Sequence, residues 1–179
     1  MALSDQAATG AFIGADRWKG LAVRLGSVAV IAVMLALIFR DGLTAMVGGW
    51  SQPEYSHGYL IPVVTLFFFW RDRHVLAATT GDGAWSGLVI VVAGLSMFLM
   101  GELGTIYTVV QYAFLVTLFG VVLAYVGWTG MRVLWVPMLY LVFMIPLPSF
   151  LYNGLSSQLQ LISSQLGVAV IRWFDISVF

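Results

Sequence analysis

Glu54, Ser56 and His57 fall within four residues of one another in the stretch WSQPEYSHGYLIPVVTLFFFWRDR, Trp50 to Arg73. A carboxylate and an imidazole three apart share a helix face, as in Glu-x-x-His metal motifs. A metal needs more ligands than two, and on that side of the expected topology only Asp41 and Glu102 could add them. The expected role of Glu54 and His57 is therefore a hydrogen-bond pair holding an interfacial loop against helices, with no metal and no cofactor. Ser56 beside His57 is not a catalytic dyad, because such partners meet through folding and not through adjacency. The chain contains no cysteine, so no residue of it can serve as a thiol nucleophile, a thiolate ligand or half of a disulfide.

A second polar group lies far downstream: Ser156, Ser157, Gln158, Gln160, Ser163, Ser164 and Gln165. On a helical wheel these cover about half the circumference, opposite Leu155, Leu159, Ile162 and Leu166. Two readings stay open. The polar face hydrogen-bonds to neighbouring helices at about 0.6 kcal/mol per contact. Alternatively it lines a groove, with Gln158, Gln160 and Gln165 along the path of a substrate segment.

The elements that must position these groups are membrane helices. Of 179 residues 61% are hydrophobic and 9% charged, against about 25% charged in soluble domains. Mean hydropathy is +0.98. The expected fold is an all-α, polytopic transmembrane bundle of about six helices, with lipid as its surroundings. Zero net charge gives no sign of a nucleic-acid partner.

In chain order, residues 1–20 are expected to form a mobile cytoplasmic leader, and residues 21–179 a single transmembrane domain. A first span covers Leu25 to Phe39, retained and not cleaved as a signal peptide. Asp41 to Ser56, rich in glycine, reads as a loop. A second span from Glu54 to Trp70 starts behind Pro53 and bends at Pro62. Arg71 to Trp85 is a polar connection turning at Gly81-Asp82-Gly83, and Gly83-x-x-x-Gly87 is a weak helix-packing motif at a membrane edge. Spans follow over Gly87 to Met100, Thr105 to Val126 and Val133 to Ile145, with a turn at Gly127-Trp128-Thr129-Gly130. Pro146-Leu147-Pro148 must end the fifth. An amphipathic helix fills Asn153 to Phe174.

Orientation follows from the basic residues. With the N-terminus in the cytoplasm, seven of the eight, Arg17, Lys19, Arg24, Arg71, Arg73, Arg132 and Arg172, fall inside, and only Arg40 outside. Glu54, Ser56, His57, Glu102 and Pro146 to Asn153 then share the outer face.

The stretch EYSHGYLIPVVTLFFFWRDR is similar to the N-terminal signature of exosortases, bacterial inner-membrane sorting enzymes. PMLYLVFMIPLPSFLYNGLSSQLQLISSQLGVAVIRWFDISVF resembles the middle of the same family, and IPLPSFLYN with SSQLQLISSQLG looks closest to its VPLPA-CTERM branch. The resemblance implies a multi-pass thiol peptidase or transpeptidase of the inner membrane. Its partners would be exported proteins with a C-terminal sorting signal of PEP-CTERM or VPLPA-CTERM type, cut at the outer face in bacteria that make exopolysaccharide. The family's catalytic Cys, Arg and His are implied to lie beyond Phe179, so none is assigned to a residue here, and the chain reads as the front portion of such an enzyme, inactive alone. A second hypothesis stays open at this point, a non-enzymatic membrane component of exopolysaccharide export or assembly.

Overall fold

The computed structural model describes residues 26–79 and 84–174, together with Val23. The leader and Gly81-Asp82-Gly83 lie outside the described residues. All regular elements described are helical. They are α1 (Gly26–Ile38), α2 (Arg40–Gly49), a 3-10 helix (Pro53–Tyr59), α3 (Leu60–Arg71), α4 (Arg73–Thr79), α5 (Trp85–Leu103), α6 (Tyr107–Tyr140), a 3-10 helix (Leu141–Met144) and α7 (Ser149–Trp173).

The scaffold is α5 against α6. The buried residues of α5 are Gly87, Gly94 and Gly101, one every seven positions. A methyl group on Gly94 would overlap Thr117 Oγ1, and one on Gly101 would stand 3.0 Å from the Val110 backbone nitrogen. From the other side, a methyl on Gly120 would come within 2.7 Å of the Val91 nitrogen. The two backbones are therefore in direct contact, and their large side chains turn away: Leu88, Val89, Val92 and Leu99 are exposed. Such an arrangement, small residues inside and large ones outside, suits lipid, because hydrocarbon solvates leucine as well as a core does and leaves close packing to hold the helices.

Helix α6 is broken at Gly127, whose φ of 68° and ψ of −176° lie in a region open essentially to glycine alone. Straight, its 34 residues would measure about 51 Å. Instead Tyr112 and Val142 line one crevice of about 350 Å³, as do Phe119 and Trp135. Each pair is symmetric about Gly127, so the two arms run antiparallel. The turn expected at Gly127 to Gly130 is made at Gly127 itself.

Helix α3 lies along the second arm, where Thr65 Oγ1 donates to the Pro137 carbonyl at 3.5 Å. From that level the arm runs to Met144 in one direction and back to Arg132 in the other; α3 runs from Leu60, next to Tyr59, to Arg71. Tyr59 packs on Trp50, and Trp50 bonds to Met144. The molecule thus has a Trp50 end and an arginine end carrying Arg71, Arg73 and Arg132. At the latter Arg71 pairs with Asp72 at 2.9 Å, and this hydrogen bond holds the Asp72 carboxyl below its usual range.

Several boundaries depart from the expectations. Residues 41–56 are not a loop: α2 is helical, bent by 76° from α1, and Gly42 lets it settle against Val110. The second span is not one helix from Glu54. Pro53–Tyr59 winds as 3-10, and α3 has 12 residues, about 18 Å of rise. Pro62 sits in the first turn of α3, just past the junction with the 3-10 helix. The connection after Arg71 contains α4. Helix α7 starts at Ser149, four residues before the expected Asn153, because Pro148 takes the extended conformation that opens a helix.

Among the described residues two helices are long and apolar enough to cross a membrane, Trp85–Leu103 and the broken Tyr107–Met144, and α1 with α2 is a third if counted as one bent span.

Candidate functional site

Trp50 organises the end of the molecule that bears its name. It follows the last turn of α2 and is 7% exposed. Its Nε1–H donates to the Met144 carbonyl at 2.7 Å, a buried bond across 94 positions of sequence. The ring of Tyr59 meets it edge-on at 5.2 Å. Gly58 lies flat on the indole, and any side chain there would overlap the ring. Glycine after Ser56-His57 is thus required by contact with an aromatic plane. Gly49 is pressed on Pro146 in the same way, with 2.8 Å left for a methyl.

These ties bring the Pro53–Tyr59 helix against the extended segment at Ile145 to Pro148, and a cleft of about 370 Å³ opens between them. One wall carries Gln52, Glu54 and Tyr55. The other carries Pro146, Leu147 and, from the first turn of α7, Ser149, Tyr152 and Asn153. The rings of Tyr55 and Tyr152 approach to 6.1 Å. Burial pushes the Tyr55 hydroxyl above its ordinary pKa, with neighbouring Tyr152 and Glu54 acting in the same direction and a hydrogen bond from the Leu147 backbone opposing them. The site therefore combines aromatic faces, carbonyl acceptors and one carboxylate.

The structure sorts the residues picked out from the sequence. Glu54 lines the cleft. Ser56 donates to the Pro53 carbonyl at 3.0 Å and serves its own turn. His57 points to the exposed surface. The expected hydrogen bond between Glu54 and His57 is not made: both side chains are exposed, and neither bonds the other. A seven-residue 3-10 helix held by Trp50 through Gly58 needs no such pair. Asp41 pairs with Arg40 at 3.4 Å. Glu102 is exposed at the end of α5, and no three His, Asp or Glu side chains converge among the described residues.

Gln158, Gln160 and Gln165 are exposed on α7, which buries none of its residues. Leu155, Leu159, Ile162 and Leu166 are exposed too. Beyond its first turn neither face of α7 is buried against the rest of the chain, and its polar stripe is not hydrogen-bonded to other helices among the described residues. Past Asn153 the helix leads away from the cleft.

Sequence reasoning missed Trp50, Gln52, Tyr55 and Tyr152. A tryptophan after two glycines was the available signal, since an aromatic at a breaker needs something to pack on.

The walls of the cleft are the two stretches that carried the resemblance, and comparison with known families covers both. The family model described as Transmembrane exosortase (Exosortase_EpsH) matches residues 49–179. The chain belongs to this family. The match starts one residue before Trp50, so the cleft, the glycine-packed scaffold and α7 lie within the matched region, whereas α1 and most of α2 precede it. No curated protein and no solved structure matches the chain.

Proposed function

We propose that this exosortase chain supplies the substrate-receiving face of a membrane sorting peptidase or transpeptidase, with the cleft at Trp50 accepting the C-terminal sorting signal of an exported protein. The observation that carries this reading is the convergence of Pro53–Tyr59 and Pro146 to Asn153 on one cleft. A short proline-containing signal of the PEP-CTERM or VPLPA-CTERM type suits it, because extended proline-rich peptides dock between aromatic rings and use hydrogen bonds for register. Tyr55 and Tyr152 provide the rings, and Gln52 and Asn153 the polar groups.

The apolar segment that follows such a signal would run along α7, whose Gln158, Gln160 and Gln165 are free to meet it. Cleavage needs a thiolate to attack the amide carbonyl, and the chain has no cysteine; its part in the reaction is to hold and orient. The topology that serves this role has six spans in the bacterial inner membrane, the N-terminus cytoplasmic and the cleft on the outer face. The clustering of Arg71, Arg73 and Arg132 at the opposite end supports that orientation.

The test is a photoreactive residue at Tyr152 in cells exporting a reporter with a sorting signal, and a second at lipid-facing Leu99. Cross-linking from position 152, and none from 99, is the expected result. No adduct from 152, or equal adducts from both, would overturn the reading. Because the chain is free of cysteine, Ser56→Cys and Arg73→Cys report topology: a membrane-impermeant maleimide should label the first in intact spheroplasts and the second only after permeabilisation.

A further inference from the structure

The crevice between the two arms of α6 is lined entirely by aliphatic, aromatic and methionine side chains. Its floor carries Met138 and Leu141, both buried, and its mouth Trp135, Leu139 and Val142, all exposed. The opening therefore faces whatever surrounds the helices, which in a membrane is hydrocarbon. A cavity of about 150 Å³ takes a benzene ring, and on that scale the 350 Å³ here take about a dozen carbons. One turn of helix with its side chains, about 10 Å across and 5.4 Å long, needs about 420 Å³. The crevice is thus sized for an extended hydrocarbon chain and not for a helix.

A charge stands at one end of this lining. Arg132, Trp135 and Leu139 follow at spacings of three and four, so they form one stripe along the second arm. Arg132 lies one turn from Trp128, an exposed tryptophan of the kind that sits at headgroup depth. The Trp128 Nε1–H donates to Ser86 at the start of α5 at 3.0 Å, which fixes that level. The arginines of this end are not equivalent. Arg71 is paired with Asp72, and Arg73 lies 4.6 Å over the Trp70 ring and bonds the Trp70 carbonyl. Arg132 is exposed and makes no ion pair or hydrogen bond among the described residues. A guanidinium at headgroup depth beside a slot for one hydrocarbon chain is complementary to a phosphate carried on that chain. No carboxylate lines the crevice to receive an ammonium headgroup.

We infer that the crevice holds one acyl chain of an anionic phospholipid of the phosphatidylglycerol class, with the phosphate on Arg132. The chain fills the space that the reversal at Gly127 leaves between the arms, so the packing of α6 depends on the lipid around it. The inference concerns the arginine end and does not rest on the cleft at Trp50.

The test uses the full chain, delipidated in detergent and given phosphatidylglycerol with a diazirine in its acyl chain, the adducts being mapped by peptide mass spectrometry after photolysis. Adducts on residues 112–119 and 135–142 are expected, well above those at lipid-facing Leu99. Unlabelled phosphatidylglycerol should displace them about fivefold better than phosphatidylethanolamine with the same chains. Arg132→Gln should abolish that preference and leave the fold intact, since the side chain is exposed. Arg73→Gln, the same loss of charge at the same end, should keep it. Val142→Trp, which adds bulk at the mouth, should lower the crevice adducts from either lipid. Adducts spread evenly to Leu99, or equal displacement by the two lipids, would overturn the inference. So would an Arg73→Gln effect as large as that of Arg132→Gln, which would leave only a general attraction of anionic headgroups to the basic end. An apolar peptide helix that displaces the label where phosphatidylglycerol does not would assign the crevice to a helix and overturn it as well.

Discussion

Helices α5 and α7 are both long enough to matter to a membrane protein, at 19 and 25 residues, and both contain glycines. Helix α5 buries three of them against α6; α7 buries nothing, and a methyl on its Gly154 or Gly167 would meet no atom within 4 Å. The helices differ in hydrophobicity, since α5 is apolar enough to span a membrane and α7 falls short, and they differ also in glycine spacing and neighbourhood. Glycines seven apart form one continuous strip, and the facing strip on α6 includes Gly120, so two backbones touch along their length. The glycines of α7 are thirteen apart with serines and glutamines between them. A stripe of that kind offers hydrogen bonds more than close contact. In lipid the first kind of surface folds the chain on itself, and the second is left to meet something else.

This contrast can be broken by substitution. Gly94→Leu should have the largest effect: the side chain would drive into Thr117, and overpacking costs about 1–3 kcal/mol even where neighbours can shift. Thermal unfolding in detergent should show a marked loss, whereas Gly154→Leu should leave the midpoint in place. Equal effects of the two would mean that the glycine strip is not what holds α5.

Gly127→Ala comes next. Its backbone conformation costs a side-chain-bearing residue about 1–3 kcal/mol, so the substitution should destabilise the reversal and widen the crevice between the arms of α6. A spin-label pair at Tyr112 and Val142 would read the change directly, and an unaltered distance with unaltered stability would contradict the turn.

Trp50→Phe keeps the ring contacts of the cleft but removes the bond to Met144. Leaving that buried carbonyl unpaired should cost about 1–3 kcal/mol, and cross-linking of a sorting signal at Tyr152 should fall with it. A fall in stability without any change in cross-linking would separate the tie from the cleft.

The smallest effect on the fold is expected from Gln158→Leu and Gln165→Leu. Both positions are exposed, so stability should move by no more than about 0.5 kcal/mol. In a complete enzyme, processing of substrate should fall well before insertion does. Normal processing in both variants would remove α7 from the substrate path.

The local features of the molecule were legible in the sequence. Hydropathy and breakers act on adjacent residues, so the all-helical membrane class, the turn at Gly127, the stop at Pro146 to Pro148 and the grouping of Arg71, Arg73 and Arg132 at one end could all be read from a single stretch at a time. Helix α2 was misread as a loop because Gly42, Gly48 and Gly49 look like breakers when isolated. In the structure Gly42 and Gly49 are contact points, against Val110 and Pro146.

What only the tertiary structure decided is everything that depends on distant partners. Glu54 was picked as half of a pair with His57, and it is instead the charged wall of a cleft whose other wall begins some ninety positions later. Trp50 carried no visible obligation until its Nε1–H was found on the Met144 carbonyl. Of the α5 glycines only Gly87 carried a packing signal, and a weak one, until Thr117, Ala124 and Val110 appeared against the strip. Composition and breakers determine which segments are helical and apolar, because those preferences are paid residue by residue. Which surfaces meet depends on whether two backbones can approach and whether a buried donor finds its acceptor, and these are properties of pairs that no single stretch contains.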